Sequence, residues 1–337
     1  MSDIRTTYMG IELANPFIAG ASALTANMKF IHQIEEAGAG ALVTKSLFEE
    51  QIGLEELKFD DTLHQYDARH AEMITTMPDL KHAGPEEHLM WVRKTKKEIS
   101  IPVIGSINAV HEETWLEYAK RMEDTGVDGL ECNFFASPKD PARKGSDIEK
   151  EQIDLAAKLV QAASIPVSIK LSTFYSNPLN VIHQMDKAGA AGFVIFNRLF
   201  EPDIDLEKQE LCAPFNLSHE TDYRLPLRYA GLLEGTIRAS ICCSGGFFQA
   251  SHAAKAVLAG ADAVQMVTTL FQNGIGYIRT MKNELQAWMD KMGYSTLKDC
   301  RGKMSQRHVS DPWAYTRGQY AALLMNPREV LAQYPKP

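Results

Sequence analysis

Four stretches of this chain repeat one design: residues 31–45 (IHQIEEAGAGALVTK), 118–133 (YAKRMEDTGVDGLECN), 181–197 (VIHQMDKAGAAGFVIFN) and 253–268 (AAKAVLAGADAVQMVT). Each begins with apolar residues at helical spacing and then reaches a glycine: Gly38, Gly126, Gly189 or Gly260. A glycine there suits a helix C-terminus, where the chain must enter the left-handed region. A short apolar run follows and ends in a polar residue, as a strand buried on both faces would.

Three further strands enter differently, at residues 101–106 (IPVIGS), 165–170 (IPVSIK) and 241–244 (ICCS). The first two open on Ile-Pro, and proline is tolerated at the first residue of a strand. Residues 15–21 (NPFIAGA) complete a set of eight. Helical patterns between the strands predict parallel β/α units. Eight of them predict a closed (β/α)8 TIM barrel of the α/β class, a single domain over residues 1–337. An open doubly wound sheet usually carries fewer strands and a Gly-x-Gly-x-x-Gly turn after the first, which this chain lacks. Long loops are expected after strands 2, 4 and 6. Residues 48–87 and 199–233, the latter with Pro202, Pro214 and Pro226, are long enough to form binding surfaces over the mouth.

A formal net charge of -8 argues against a nucleic-acid surface. The densest basic run, Lys94, Lys96 and Lys97 beside Arg93, reads as a solvated helix face. No basic-then-apolar leader and no run of eighteen apolar residues is visible, so neither secretion nor a membrane span is expected. The five cysteines, 132, 212, 242, 243 and 300, contain no pair at metal-site spacing and read as reduced thiols of a cytoplasmic protein.

In such a barrel the chemistry sits at the C-terminal strand ends. Polar residues expected there are Ser22, Lys45, Ser46, Ser106, Asn108, Glu131, Asn133, Lys170, Asn197, Ser244–Gly246, Thr268 and Thr269. One lysine could simply begin a loop. Two lysines and three asparagines converging on one cavity call for a ligand with a phosphate and a polar heterocycle. Ser244-Gly245-Gly246 after the seventh strand, with Thr268 after the eighth, fits a phosphate site built on close backbone approach.

The motifs Asn15-Pro16-Phe17, Thr44-Lys45-Ser46, Glu131-x-Asn133, Ile169-Lys170-Leu171, Gly245-Gly246 and Gln265-x-x-Thr268 occur in an order that resembles the dihydroorotate dehydrogenases, closest to their soluble class 1. The tail Gly293-Tyr294-Ser295-Thr296-Leu297-x-Asp299 resembles that family too. Around Ser106-Ile107-Asn108 the chain is similar to the flavin half of dihydropyrimidine dehydrogenase. The resemblance implies FMN as cofactor. It implies that Ala21, Ser22 and Ser46 approach the flavin, and that Lys45 lies near ring and substrate with a catalytic role. Asn108 and Asn133 would bond the ring edge, Lys170 would face its N1–C2 region, and Gly245, Gly246 and Thr268 would hold the phosphate. Asn133 and Asn197 would also meet substrate. A lysine near N1 tunes the cofactor toward accepting a hydride.

Departures from the family pattern centre on the catalytic loop. The family follows its Glu-x-Asn strand with Asn-x-Ser-Cys-Pro or Asn-x-Ser-Ser-Pro, whose residue before proline is the general base. This chain reads Asn133-Phe134-Phe135-Ala136-Ser137-Pro138, one residue longer, and Ser137 keeps the place before proline. Phe134 and Phe135 are expected to exclude water. Thr75-Thr76-Met77-Pro78 stands where the family has an asparagine, Arg198 stands for its serine or threonine, and Leu217-Ser218-His219-Glu220 replaces its Gly-rich segment. Cys132, between Glu131 and Asn133 on one strand, is expected to face the helix layer as a core residue.

The function expected is an FMN-dependent oxidation of dihydroorotate or a related cyclic amide, with Ser137 removing the proton. The alternatives are a flavin-binding relative with another or no substrate, and an aldolase forming a Schiff base on Lys170. Expected partners are a pyrimidine-like small molecule, a second copy in a homodimer, and an electron-transfer subunit. Without an N-terminal membrane helix, direct use of quinone is not expected.

Overall fold

Parallel strands are expected wherever a helix, a glycine and an apolar run follow one another. The computed structural model describes residues 1–52, 84–136, 140–198, 201–212, 217–311 and 313–325, and it has a strand at each expected position. In chain order the strands are β1 (Thr6–Tyr8), β2 (Ile11–Leu13), β3 (Phe17–Ala19), β4 (Ala41–Val43), β5 (Leu47–Phe48), β6 (Val103–Asn108) and β7 (Gly129–Asn133). They continue with β8 (Val167–Leu171), β9 (Gly192–Ile195), β10 (Asp203–Asp205), β11 (Glu210–Cys212), β12 (Ser240–Ser244) and β13 (Ala263–Met266). The barrel runs β3-β4-β6-β7-β8-β9-β12-β13, every pairing is parallel, and β13 returns to β3.

Helices α1 (Met28–Ala37), α2 (Pro85–Glu98), α3 (Glu112–Glu123), α4 (Gly145–Ala162), α5 (Pro178–Lys187), α6 (Arg224–Leu233) and α7 (Ala250–Ala259) connect successive strands; α8 (Thr268–Asn273) and α9 (Tyr277–Met292) follow the last. The four repeated glycines all have positive φ, from +82° at Gly38 to +129° at Gly260, the conformation their place after a helix demands. Pro102 and Pro166 stand just before β6 and β8, and their carbonyls accept from Leu42 and Leu130 at 3.0 and 2.9 Å. A proline there gives up no N–H that the ladder needs. Aspartates close the same end of the barrel: Asp128 accepts from Val103 N at 2.7 Å, Asp262 from Ile241 N at 2.8 Å and Asp186 from Ala239 N at 2.8 Å.

Side-chain alternation divides the core in two. Ile18, Ala41, Val43, Ile104, Val194, Cys242 and Ala263 point to the axis and pack with Tyr8, Met9 and Leu13 of the β1–β2 hairpin, which plugs the N-terminal end. Their strand neighbours, among them Phe17, Leu42, Val103, Cys132, Ile169 and Phe193, face the helices. Of the long loops expected, the one after strand 6 carries the antiparallel β10–β11 hairpin, largely solvent-exposed. Most of the one after strand 2 lies outside the described residues. Among the described residues no helix is long and apolar enough to cross a membrane.

The plug holds a fully buried polar contact inside the barrel: Tyr8, 1 % exposed, meets Ser168 Oγ through its hydroxyl at 2.8 Å. Tyr8→Phe should cost about 1–3 kcal/mol, because Ser168 then stays buried without its partner. Adding Ser168→Ala should recover part of that loss, and Tyr8→Ala should cost about 3–5 kcal/mol. Urea unfolding midpoints check all three; a double variant no more stable than Tyr8→Phe would remove the hydroxyl pair from the account.

Candidate active site

Above the plug the inward positions turn polar. Glu131 on β7, Lys170 on β8 and Gln265 on β13 project to the axis by the same alternation that buries Ile104 and Ala263 below them. Lys170 Nζ donates to Gln265 Oε1 at 3.0 Å and approaches Glu131 Oε1 at 3.4 Å, while Gln265 Nε2 donates to Glu131 Oε2. A buried ammonium needs acceptors, and this arrangement gives Lys170 two.

Lys170 and Gln265 floor a cavity of about 300 Å³ at the C-terminal strand ends, with Glu131 beneath them. Of the residues expected to meet the cofactor, it brings together Ala21, Ser22, Lys45, Ser46, Lys170, Gly245, Gly246 and Thr268, with Asn197 at its edge. Ser46 Oγ bonds Ser106 Oγ at 2.7 Å, tying the ends of β4 and β6. Thr268 Oγ1 accepts from Ser218 N at 3.1 Å, so the loop after strand 6 is fastened over this side of the mouth. A second cavity of about 430 Å³ adjoins the first and shares Phe196, Asn197, Arg198, Ser218, Ser244 and Gly245 with it. Arg198 Nη1 is fixed there by Asp222 Oδ2 at 2.5 Å, and the same oxygen accepts from His219 N at 2.9 Å.

Asn108 and Asn133 are not among the residues lining either cavity. Asn108 ends β6 opposite Phe48. Asn133 is 8 % exposed at the end of β7, and its Oδ1 has no hydrogen-bond partner, an acceptor left over beside the site. Cys132 lies in the layer between strands and helices, as expected, and burial pushes its thiol well above the ordinary range.

Phe134 and Phe135 do not cover the mouth. Phe134 N donates to Lys170 O at 2.9 Å, which carries the strand alternation one residue further. Its ring therefore turns outward onto Trp115 of α3, centroids 5.3 Å apart, and both phenylalanines line a separate cavity between α3 and α4. Ser137, the expected base, lies outside the described residues, as do Pro138 and residues 75–78.

The glycine pair separates into two roles. At Gly245 (φ +98°) an added Cβ would meet nothing within 4 Å, whereas at Gly246 (φ +76°) it would fall 2.5 Å from Tyr223 N and 2.7 Å from His219 O. Gly246 thus lets the loop of residues 219–223 close down, while Gly245 keeps backbone open toward the cavity. A side chain at Gly246 would therefore disturb this loop as well as any group held above it.

Sequence reasoning passed over His88. It sits in the first turn of α2, 9 % exposed, with no partner for Nε2. Burial, with the charge of Lys45 adding to it, pushes its titration down to about 4. No motif marks this residue; only helix spacing on the Leu89–Val92 face could have placed it indoors.

The dihydroorotate dehydrogenase family model matches residues 3–289 of the chain. Among relatives, the dihydroorotate dehydrogenase B (NAD(+)) catalytic subunit of Thermoplasma volcanium is 28% identical over 318 residues, covering 91% of this chain and all 100% of its own length. The chloroplastic dihydropyrimidine dehydrogenase (NADP(+)) of Arabidopsis thaliana is 23% identical, covering 90% of this chain and 77% of that protein. The NAD-dependent dihydropyrimidine dehydrogenase subunit PreA of Escherichia coli K12 is also 23% identical, over 89% of this chain and 76% of its own.

The state of His88 sets a pH dependence. Its folded value, about 4, lies below the ordinary 6.5, so between those limits the unfolded chain binds the proton more tightly. Stability is therefore complete above about pH 6.5 and falls as the pH drops toward 4, by up to about 3 kcal/mol at 1.36 kcal/mol per unit. His88→Leu should flatten that fall in urea unfolding at pH 5 against pH 7.5. Parallel pH profiles in parent and variant would show that His88 is not the group responsible.

Proposed function

The chain belongs to the dihydroorotate dehydrogenase family, and we propose that it is a cytoplasmic FMN-dependent oxidoreductase acting on dihydroorotate or a related cyclic amide. One observation carries this reading: Lys170 is an ammonium 6 % exposed in the floor of the cavity, with two acceptors for its three N–H donors. The third donor is left for a ligand in the cavity it lines.

The residues present fit FMN. Lys170 offers a charged donor to the ring's polar edge, Asn133 Oδ1 is an acceptor awaiting an N–H, and the open backbone at Gly245 with Thr268 suits the phosphate. When bound, FMN supplies the acceptor for the electron pair leaving the substrate carbon. The chain's own residues do the rest. Ser22, Lys45 and Ser46 bound the cavity on the side of β3 and β4, while Asn197 and Arg198 stand between it and the adjoining space, where a small ring can be held by amide and guanidinium donors. The Phe196 and Phe271 side chains add apolar wall.

Proton removal falls to Ser137, whose place before Pro138 matches the family's base and whose neighbour Ala136 has no functional atom. A Schiff-base aldolase on Lys170 is disfavoured, since a nucleophilic lysine must be neutral and Glu131 stands beside this one. A flavin-binding relative with another substrate is the alternative, favoured by Arg198, which stands where the family has a serine or threonine and lines the adjoining space, held by Asp222. That relatives are named as catalytic subunits or as a subunit supports an electron-transfer partner for this chain too.

Two expected outcomes test the reading. Purified protein should be yellow. Gly245→Ala, strained by its positive φ but meeting no neighbour, should bind FMN several-fold more weakly and lose less melting temperature than Gly246→Ala, whose Cβ also strikes the backbone of residues 219–223; full FMN retention in Gly245→Ala would move the phosphate elsewhere. Ser137→Ala should keep its FMN and slow flavin bleaching by dihydroorotate, or by the active member of a panel of dihydropyrimidines, by about 10²-fold or more. Equal rates in anaerobic stopped flow would show that the inserted residue has taken Ser137 out of the reaction.

A further inference from the structure

Glu131 is 1 % exposed and touches neither solvent nor the cavity wall, yet it is an acid in the middle of a barrel. Its two oxygens do different work. Oε1 stands 3.4 Å from Lys170 Nζ, and Oε2 accepts from Gln265 Nε2. The amide of Gln265 can then lie only one way round, with Nε2 toward the carboxylate and Oε1 toward the ammonium, which it meets at 3.0 Å. The three side chains close a ring of hydrogen bonds across the barrel, from β7 and β8 to β13, directly above the apolar plug. Each polar atom in that ring limits where the others can go, and a charge at this depth without its partner would be costly.

We infer that Glu131 is the positioning residue of the cavity floor: through Gln265 it fixes the ammonium of Lys170 and offsets its charge. A bound flavin then meets a directed donor in a floor of nearly zero net charge. This rests on the reading of the cavity as an FMN site. In a low-dielectric interior, removing either charge leaves the other uncompensated, and the two losses act on a bound redox group with opposite sign. A floor turned positive favours the electron-rich form of the cofactor and raises its potential; a floor turned negative lowers it.

The test compares the full-length holoprotein with Glu131→Gln, Lys170→Met, the double variant and Glu131→Asp. Reductive titration against redox dyes reads the potential of the bound FMN. The expected result is a rise in Glu131→Gln, a fall in Lys170→Met, an intermediate value in the double variant, and a value near the parent's in Glu131→Asp, which keeps the charge. Both single variants moving the same way, or Glu131→Asp behaving like Glu131→Gln, would overturn the inference, because a purely structural role predicts that pattern. Urea unfolding of the same proteins without added FMN gives an independent reading. Each single change should lower the midpoint and the double change should recover part of the loss; additive losses count against the pairing. A parent protein that binds no FMN would sink the cofactor reading alone, and the urea cycle would then decide whether Glu131 holds Lys170.

Discussion

Everything at this site depends on the closure of one parallel sheet. β4 pairs with both β3 and β6, and β13 with β3, so none of the eight barrel strands is left at an edge and each has one face on the axis and one toward the helices. Closure turns the two-residue period of a strand into a sorting rule. Inward positions at or past the middle of their strands, Glu131, Lys170 and Gln265, are brought together whether or not they are neighbours in the sequence. Below them apolar side chains fill most of the axis, with the Tyr8–Ser168 pair and the Ser240 hydroxyl that meets Met9 N. The barrel is thus dry at one end and charged at the other, and the cavity forms where packing gives way to polar groups.

Much of this was legible in the sequence because the punctuation was strong. Gly38, Gly126, Gly189 and Gly260 mark helix ends by a conformation few other residues take up, and Pro102 and Pro166 mark strand entrances where no N–H is needed. Six of the eight barrel strands carry one of these signals, and residues 15–21 and 241–244 are placed by their apolar runs. Ten of the polar and glycine positions read at strand ends line one cavity, while Ser106, Asn108, Glu131 and Asn133 do not. What failed was direction. Phe134 was assigned to the mouth, although the alternation that correctly turned Cys132 outward turns Phe134 outward too, two residues on. Nothing local distinguishes Gly245 from Gly246, since their difference is made by the loop of residues 219–223, which arrives from another part of the chain.

His88 shows the same limit from the other side. A single histidine on a helix carries no motif, and its burial depends on the packing of α2 against the barrel as well as on its own neighbours. Its depressed titration follows from that packing and from Lys45, a strand-end residue remote in sequence. Contacts made across the fold are where reading a single chain runs out. Gln265 is the intermediate case: it stood in a recognisable motif, but its part in the floor follows only from the inward phase of β13.

The placing of charge also decides between chemistries that one barrel could support. A lysine at a strand end could be a nucleophile, an anchor for an anion or a donor to a ring. A nucleophile needs a neutral amine in apolar surroundings. Here the nearest groups are a carboxylate and an amide oxygen, both aligned on Nζ by a hydrogen-bond ring that no single member can leave without exposing another. Such surroundings hold Nζ in one place and occupy two of its directions, which suits a fixed donor and leaves it poorly placed for attack on a carbonyl. The same ring leaves one N–H of Lys170 directed at the cavity, and Gly245 leaves backbone open on the far side. A charged donor in the floor and bare backbone at the rim belong together when a ligand has a polar ring at one end and a phosphate at the other.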